Sequence, residues 1–202
     1  MSKRMSIVYI YADESCLGNG RTGASPGAAA GIVQLWKDGE CVRRDFWVSE
    51  PDTTNNRMAI RSAIEPLSSL RKPCEIIFCS DSQYLVKGMS SWIFSWIRQG
   101  WKRKAGAVEN EELWKESVRA AARHKIEWRW VRGHAGHPMN EYANFLAIRA
   151  AKAQTSSEGL VPSGLEAWLR TERAAGRYLN FAENTPPKEE HFRPASQPRS
   201  VG

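Results

Sequence analysis

An apolar run that ends in two adjacent carboxylates most constrains how this chain can fold. The run extends from Ile7 to Tyr11 and leads into Asp13, Glu14 and a turn rich in Ser, Gly and Asn. Such a run is typical of a central strand that is buried on both faces and delivers an acid to the edge of a sheet. Asp is also a common turn former, so Asp13 indicates a site only if it has partners elsewhere in the chain.

A second apolar strand also ends in an acid. Residues 74–80 form a short apolar run that is followed directly by Asp81, and a helical pattern separates this run from the first strand. Strand–helix–strand connections favour parallel neighbours, and sites in open α/β sheets lie beyond the carboxyl ends of the strands. We therefore expect Asp13 and Asp81 to lie side by side.

The other patterns predict further strands and helices of an α/β domain. Two β-rich runs, 28–36 and 41–48, flank an Asp-Gly pair and predict a hairpin. A helix should begin near Thr54 and end or kink at Pro66. A short helix should end at Gly88. We also expect helices at 110–123 and 142–152 and a half-buried edge strand at 126–131.

Composition limits the class of protein. The 202 residues suffice for one domain of about 150 residues and a tail. The net charge of +7 is compatible with a polyanionic partner, although many soluble proteins are mildly basic. Four cysteines without a C-x-x-C pair, and the lack of a signal peptide or a membrane-spanning run, predict a soluble cytoplasmic protein with reduced thiols. We expect it to be a monomer.

A basic segment rich in tryptophan has two interpretations. Trp92 and Trp96 have the i, i+4 spacing of residues that pack in a core, and Trp101 follows them. The basic residues 102–104 suit either a protruding loop that follows phosphates or a solvated helix end.

A glycine-rich loop carries two histidines. His134 and His137 could form a zinc pair, but no Cys or further His accompanies them. A loop histidine beside two aspartates is better suited to carrying protons or releasing product, and we assign this role to His134.

With these residues assembled, the chain resembles type 1 ribonuclease H from about Ile7 to Ala151. The resemblance rests on six segments: Asp13-x-Ser-Cys-Leu-Gly-Asn19, Thr53-Thr-Asn-Asn-Arg-Met58, Asp81-Ser-Gln-Tyr84, Gly100-Trp-Lys102, Gly133-His-Ala-Gly-His-Pro138 and Asn140-Glu141. It implies a five-stranded mixed sheet in the order 3-2-1-4-5, with strand 2 antiparallel and helices on both faces. It also implies cleavage of the RNA strand of RNA/DNA hybrids with two Mg²⁺ ions, for which Mn²⁺ can substitute.

The resemblance fails at two of the four metal-binding acids of the family. Asp13 and Asp81 match, but the glutamate of the first helix is Ala59 and the aspartate of the last helix is Asn144. Asn144 keeps an oxygen that can reach a metal or its water, whereas Ala59 offers no ligand. We therefore expect the second ion to bind poorly.

Two other carboxylates could replace the missing one. Glu14 is the nearest, but adjacent strand residues face opposite sides of a sheet, so we expect it to need an irregular backbone. Glu65 lies about 9 Å further along the helix than Ala59 and off its face, which makes it the weaker alternative.

Three origins of Ala59 remain open: an engineered Glu→Ala change, a natural lineage with a rearranged site, or a degenerate protein that only binds hybrids. If Ala59 is the deficit, restoring Glu there should raise cleavage strongly. Another enzyme of the same superfamily, such as an exonuclease or integrase, is the more distant alternative.

The motif positions also imply substrate contacts. Asn19 and Thr54 should hold a phosphate of the DNA strand, while Asn55, Asn56 and Gln83 should face the RNA minor groove, whose 2′-hydroxyls distinguish RNA from DNA. The family's hybrid-binding protrusion corresponds to the basic segment, with these candidate contacts: Trp92, Trp96, Trp101, Lys102, Arg103 and Lys104.

Composition changes after the matching region, so we predict a domain at 1–152 and an extension at 153–202. The extension should comprise a polar linker at 154–163, a short amphipathic helix near 164–176, and a disordered or loosely packed Pro-rich end. It either packs on the domain or adds a second phosphate-binding surface through its arginines: Arg170, Arg173 and Arg177.

Overall fold

The structure is a computed structural model that describes residues 7–18, 25–37, 40–103, 106–133 and 136–187. Within these ranges, no helix combines the length and the apolar character needed to cross a membrane.

A mixed six-stranded sheet forms the centre of the molecule. The described residues form eight strands: β1 (Ile7–Cys16), β2 (Gly27–Lys37), β3 (Glu40–Glu50), β4 (Glu75–Ser80), β5 (Lys102–Arg103), β6 (Gly106–Ala107), β7 (Lys125–Trp130) and β8 (Val161–Pro162). Strands β5 and β6 form a separate two-stranded ribbon, and the other six form the sheet. The order is β7-β4-β1-β2-β3-β8. Strand β2 is antiparallel to both its neighbours, while β1, β4 and β7 are parallel. The expected five-stranded order is confirmed, and β8 adds a sixth strand beside β3.

Helices cover both faces of the sheet. They are α1 (Asn55–Ser69), α2 (Gln83–Lys87), α3 (Ile93–Arg98), α4 (Glu111–Ala121), α5 (Pro138–Ala153) and α6 (Leu165–Ala174). Alternate residues of β1 serve the two layers, as the pleat of a strand requires. Val8, Ile10 and Ala12 pack in the core with α1 residues. Tyr9 and Tyr11 pack in the core with α5 and α6 residues.

Helix α1 begins where the capping residues predict but does not end at Pro66. The Thr54 hydroxyl accepts a hydrogen bond from the Arg57 backbone N–H, which caps the first turn. The helix then continues through Pro66 to Ser69. Termination at Pro66 was therefore wrong.

The short helix α2 ends at Lys87 with Gly88 as its C-cap, as predicted, but Gly88 does not stop the helical run. It adopts right-handed helical angles, and a π-helical turn, Gly88–Trp92, joins α2 to α3. A Cβ atom at this position would lie 2.1 Å from the Trp114 ring. Gly88 is therefore also needed for close packing of the helical run against α4.

The segment predicted as a polar linker lies along the edge of β3. The Trp47 carbonyl accepts from the Ser157 N–H, and the Ser156 hydroxyl accepts from the Ser49 N–H. Strand β8 then pairs with β3, and Leu165 and Leu169 of α6 are buried in the α5 layer. Residues 154–187 thus pack on the domain, while the residues beyond 187 lie outside the described part.

We expect Gly88→Ala to destabilise the protein, because the added methyl group must displace the Trp114 ring or the helix that carries it. Overpacking of this kind costs about 1–3 kcal/mol. Chemical denaturation would measure the loss. Ser91→Ala, at an exposed position of the same helical run, is the control and should change stability by less than about 0.5 kcal/mol. Equal stability of the two variants would contradict this account of the packing.

Candidate active site

The site forms where β4 ends before β1 does. The ladder between them stops at the pair Ala12–Ser80, whereas β1 continues to Cys16 with only β2 as a partner. Beyond Ala12, the β4 side of β1 is therefore free of a neighbouring strand. This opening gives side chains from both faces of β1 access to one space at the carboxyl edge of the sheet.

Three carboxylates converge in this space. One oxygen from each of Asp13, Glu14 and Asp81 lies within 4.8 Å of the other two. Asp13 and Asp81 thus lie side by side, as predicted, and Glu14 lies with them. Asp13 Oδ1 accepts the Glu14 backbone N–H at 2.7 Å, and its Oδ2 accepts from the Asn140 amide at 3.4 Å.

Glu14 needs no irregular backbone to reach the site. The pairing of β1 with β2 continues without a bulge through Asp13–Ala30 and Glu14–Ala29, so the expected need for irregularity was wrong. By strand alternation, Glu14 lies on the face of Ala12, the face that α1 covers, while Asp13 lies on the α5 face. The open side of β1 lets the two side chains meet.

Ala59 lies on the same face of the sheet as Glu14. It is fully buried in α1 and packs in the core cluster that includes Ala12. Because position 59 is Ala, Glu14 is the one described glutamate on the α1 side of the site; a Glu at position 59 would be a second. Glu65, the other alternative, instead forms an ion pair with Arg61 at 3.3 Å.

Burial and mutual repulsion raise the pKa values of the acids. Burial, followed by repulsion from the Asp81 carboxylate, raises the pKa of Asp13 to about 8, although the hydrogen bond from the Glu14 N–H lowers it. Burial, followed by repulsion from Asp13 and Asp81, also raises the pKa of Glu14 well above its ordinary value. The site therefore holds protons at neutral pH unless a cation compensates the charges.

The last residue of β7 and the segment that follows it hold Asp81 in place. The Trp130 indole N–H donates to the Asp81 carbonyl at 2.9 Å. A Cβ atom at position 133 would lie 2.1 Å from Asp81 Oδ2, so Gly133 permits the backbone to pack against the carboxylate. Gly133 thus lies against the acid cluster, and His134, the next residue, lies outside the described residues.

Sequence reasoning missed Asn140 as a site residue. Its side chain is only 2% exposed, and its amide contacts Asp13, as described above. Asn140 lies in the Asn140-Glu141 segment of the resemblance, but only the packing of α5 against β1 shows that its amide faces Asp13. Asn144 is half-buried one helical turn further along α5, on the same side of the helix as Asn140.

The acid cluster suits a hard divalent cation such as Mg²⁺, which prefers oxygen ligands. Glu14 Oε2 is buried and has no hydrogen-bond partner among the described residues. Burying a carboxylate oxygen without a partner costs free energy, and a bound cation would compensate that cost. Asp13, Glu14 and Asp81 are the residues that would hold the ion.

The described substrate-binding candidates lie at the surface or at its margin. Thr54, Asn55 and Gln83 are exposed, and Asn56 is half-buried. Gln83 Oε1 accepts from the Lys87 ammonium group at 2.9 Å. Asn19 lies outside the described residues.

The tryptophans of the basic segment form an aromatic cluster rather than a free surface. Ring centroids of Trp96 lie 5.8 Å from Trp92, 6.3 Å from Trp101 and 5.5 Å from Trp114. The cluster lines a cavity that Arg103 also borders. Lys102 and Arg103 are exposed, and Lys104 lies outside the described part. Core packing and a basic outer surface therefore coexist here.

Two of the three extension arginines are already paired. Arg173 binds Glu183 at 2.6 Å, and Arg177 binds Glu172 at 2.5 Å. These pairs weaken the alternative of a second phosphate-binding surface.

Comparison with known proteins agrees with this architecture. The family model for RNase H matches residues 5–152. Ribonuclease HI of Neisseria meningitidis (strain Z2491) is 44% identical over 146 residues, which cover 71% of this chain and 94% of that protein. Ribonuclease H of Stutzerimonas stutzeri (strain A1501) is 42% identical over 144 residues, which cover 70% of this chain and 89% of that protein.

A solved structure matches more of the chain. LC9-RNase H1, described as a type 1 RNase H with the type 2 active-site motif, is 49% identical with a TM-score of 0.82. The match covers 96% of this chain and 94% of that one, so it includes most of the extension. The foamy viral protease-reverse transcriptase in complex with RNA/DNA hybrid shares the fold at 12% identity, with a TM-score of 0.58 over 74% of this chain and 20% of that one.

The fold and the acids at its carboxyl edge define a nuclease of the ribonuclease H family, to which this chain belongs. Within the family it is a type 1 ribonuclease H, with Ala59 and Asn144 at two positions of the active site. Ribonucleases H are endoribonucleases that hydrolyse the RNA of RNA/DNA hybrids.

Without divalent ions, the protein should lose stability relative to Asp13→Asn as the pH rises from about 5 to 8. Because the pKa of Asp13 is about 8 when folded and about 3.9 when unfolded, the folded state binds more protons in this range. The differential loss is at most about 1.4 kcal/mol per pH unit. Denaturation at several pH values measures it, and Mg²⁺ should reduce it. Parallel pH profiles for the two proteins would contradict the raised pKa.

Proposed function

We propose that this protein cleaves the RNA strand of RNA/DNA hybrids endonucleolytically, at a two-metal-ion site in which Glu14 replaces the helix glutamate of the family. The observation that carries the proposal is the convergence of Asp13, Glu14 and Asp81 within 4.8 Å. Bound Mg²⁺ or Mn²⁺ would supply activation of the attacking water and stabilisation of the leaving oxygen.

The residues of the chain have separate tasks in this proposal. Asp13 and Asp81 come from adjacent parallel strands and define the centre of the site. Glu14 supplies the third negative charge from the α1 side. Asn144 contributes an uncharged oxygen from α5, so the fourth position keeps its reach but loses its charge. His134 assists proton transfer or product release.

Of the three origins of Ala59, we favour a natural lineage with a rearranged site. The unpartnered Glu14 Oε2 supports this choice, because a degenerate site has no reason to keep a buried acid there. The description of LC9-RNase H1 as a type 1 RNase H with the type 2 active-site motif gives further support. That protein shows that a type 1 fold can accommodate a different active-site motif.

Hybrid binding in this proposal uses the surface beside the acids. Thr54 at the start of α1, together with Asn19, holds a phosphate of the DNA strand. Asn55, Asn56 and Gln83 contact the RNA minor groove. The exposed Lys102 and Arg103 follow the phosphates further away, with Lys104 beside them.

If Glu14 has replaced the helix glutamate, removing Glu14 and adding a glutamate at position 59 should have different effects on cleavage. Glu14→Gln should lower Mg²⁺-dependent cleavage of a labelled hybrid by at least about 10²-fold, the scale of removing one preorganised electrostatic interaction. Ala59→Glu alone should not raise the rate, because it places a second buried carboxylate on the α1 face. The combined Glu14→Ala and Ala59→Glu variant should cleave faster than Glu14→Ala.

Glu65→Gln is the matched control for these changes, because Glu65 is also on the α1 side but is ion-paired away from the acids. It should leave the rate within about twofold, because the Glu65 side chain is half-buried beside Arg61 and is not one of the three converging acids. Assays in Mg²⁺ and in Mn²⁺, with melting curves for each variant, separate loss of metal binding from unfolding. A large gain from Ala59→Glu together with an inert Glu14→Gln would overturn the proposed exchange.

Binding of the hybrid should depend on salt through the basic segment. Neutralising Lys102 and Arg103 should reduce the slope of log K against log salt by roughly 0.9 for each phosphate that the protein no longer neutralises. Lys125→Ala is the control, because Lys125 begins β7 at the opposite end of the sheet and pairs with Glu75. Fluorescence anisotropy of a labelled hybrid in Ca²⁺ or EDTA gives the slopes. An unchanged slope would exclude this segment from the binding surface.

A further inference from the structure

We propose that the C-terminal extension positions Asp13 through helix α5, so that residues outside the matching domain set the metal affinity of the site. This inference rests on the proposed function of Asp13 as a metal ligand. It rests on three hydrogen bonds in series, which join the extension to β3, β3 to α5, and α5 to Asp13. The last two are buried, and the first is partly buried.

The first two contacts meet at a buried acid, Asp45 of β3. Asp45 is 3% exposed. Its Oδ2 accepts from the Gly164 backbone N–H of the extension at 2.8 Å and from the Tyr142 hydroxyl of α5 at 2.6 Å. Hydrogen bonds to an ionised carboxylate are shorter and stronger than those between neutral groups. One atom thus joins the extension and α5.

Asp45 depends on donors from α5 and from the extension. Its Oδ1 is buried and lacks a hydrogen-bond partner among the described residues. Burial raises the pKa of Asp45, while hydrogen bonds from Tyr142, Gly164 and Ser163 and the charge of Arg149 lower it. A Cβ atom at position 164 would lie 3.1 Å from the Tyr142 hydroxyl oxygen, so glycine allows the backbone to come close. Loss of either donor leaves a buried acid poorly compensated.

The third contact lies on the opposite side of α5. Tyr142 is two residues after Asn140, which places the two side chains about 200° apart around the helix. Both are buried. Asn140 donates to Asp13 Oδ2 at 3.4 Å. A shift of α5 on its extension side therefore moves the amide that orients Asp13.

The extension has enough contacts to hold its place. Ser156 and Ser157 hydrogen-bond along β3. Trp168 of α6 packs against Tyr142, with ring centroids 5.3 Å apart. Further along, Arg173 pairs with Glu183. The extension is therefore a fixed support for Asp45 and Tyr142.

The test compares Tyr142→Phe and Asp45→Asn with an extension control, Arg177→Ala, which breaks only the exposed pair with Glu172. Both variants should speed amide exchange of residues 138–144 in the metal-free protein. They should also raise the half-saturating Mg²⁺ concentration for hybrid cleavage by about tenfold, the scale of losing an outer-shell partner of a metal ligand. Hybrid affinity without metal should be unchanged, and the control should match the wild type.

Asn140→Ala tests the last link alone. It should raise the half-saturating Mg²⁺ concentration by about 10–100-fold without faster exchange of the helix. If Tyr142→Phe and Asp45→Asn lower the melting temperature but leave exchange and Mg²⁺ dependence unchanged, the inference is overturned. If the wild type neither cleaves hybrids nor binds Mg²⁺, the proposed function fails, while the exchange data still decide whether the extension holds α5.

Discussion

The site depends on the unequal lengths of two neighbouring strands. Because β4 stops at Ser80 while β1 continues to Cys16, the last residues of β1 have a partner strand on one side only. The unpaired side is where Asp81 turns in and where acids from both faces of β1 can meet. Burial and then mutual repulsion raise the pKa values of Asp13 and Glu14, and a divalent cation would compensate the charge that these acids bring together.

The sequence was sufficient for the pair Asp13 and Asp81, because apolar runs mark buried parallel strands and their ends must share an edge. It was misleading for Glu14. Alternation does place Glu14 and Asp13 on opposite faces of β1, but at the end of β1 the neighbouring strand on one side is missing, so side chains from both faces can meet there. That opening depends on where β4 stops. The packing role of Gly88 was not predictable for a similar reason: it is set by the Trp114 ring, which lies far away in the chain.

The extension was harder to predict because a polar segment is compatible with two structures. A run such as 154–163 can remain solvated, or it can pair with the backbone of an exposed edge strand, as Ser156 and Ser157 do on β3. Asp45 was equally hidden, since it follows two arginines in a run of three consecutive charged residues. Only the tertiary structure shows that this acid faces inward and that Gly164 and Tyr142 stabilise it.

The proposed move of the glutamate from α1 to β1 has a consequence for substrate recognition. The resemblance to type 1 ribonuclease H implies a helix glutamate that both holds an ion and contacts the RNA 2′-hydroxyl, whereas Glu14 belongs to the central strand, next to Asp13. The charge on the α1 face is kept at one carboxylate, but the helix no longer presents an acid to the sugar. In the proposed site, discrimination between RNA and DNA therefore falls to the amides at the helix starts, Asn55, Asn56 and Gln83. These residues carry no charge, so they can read the 2′-hydroxyl without adding to the repulsion among the acids.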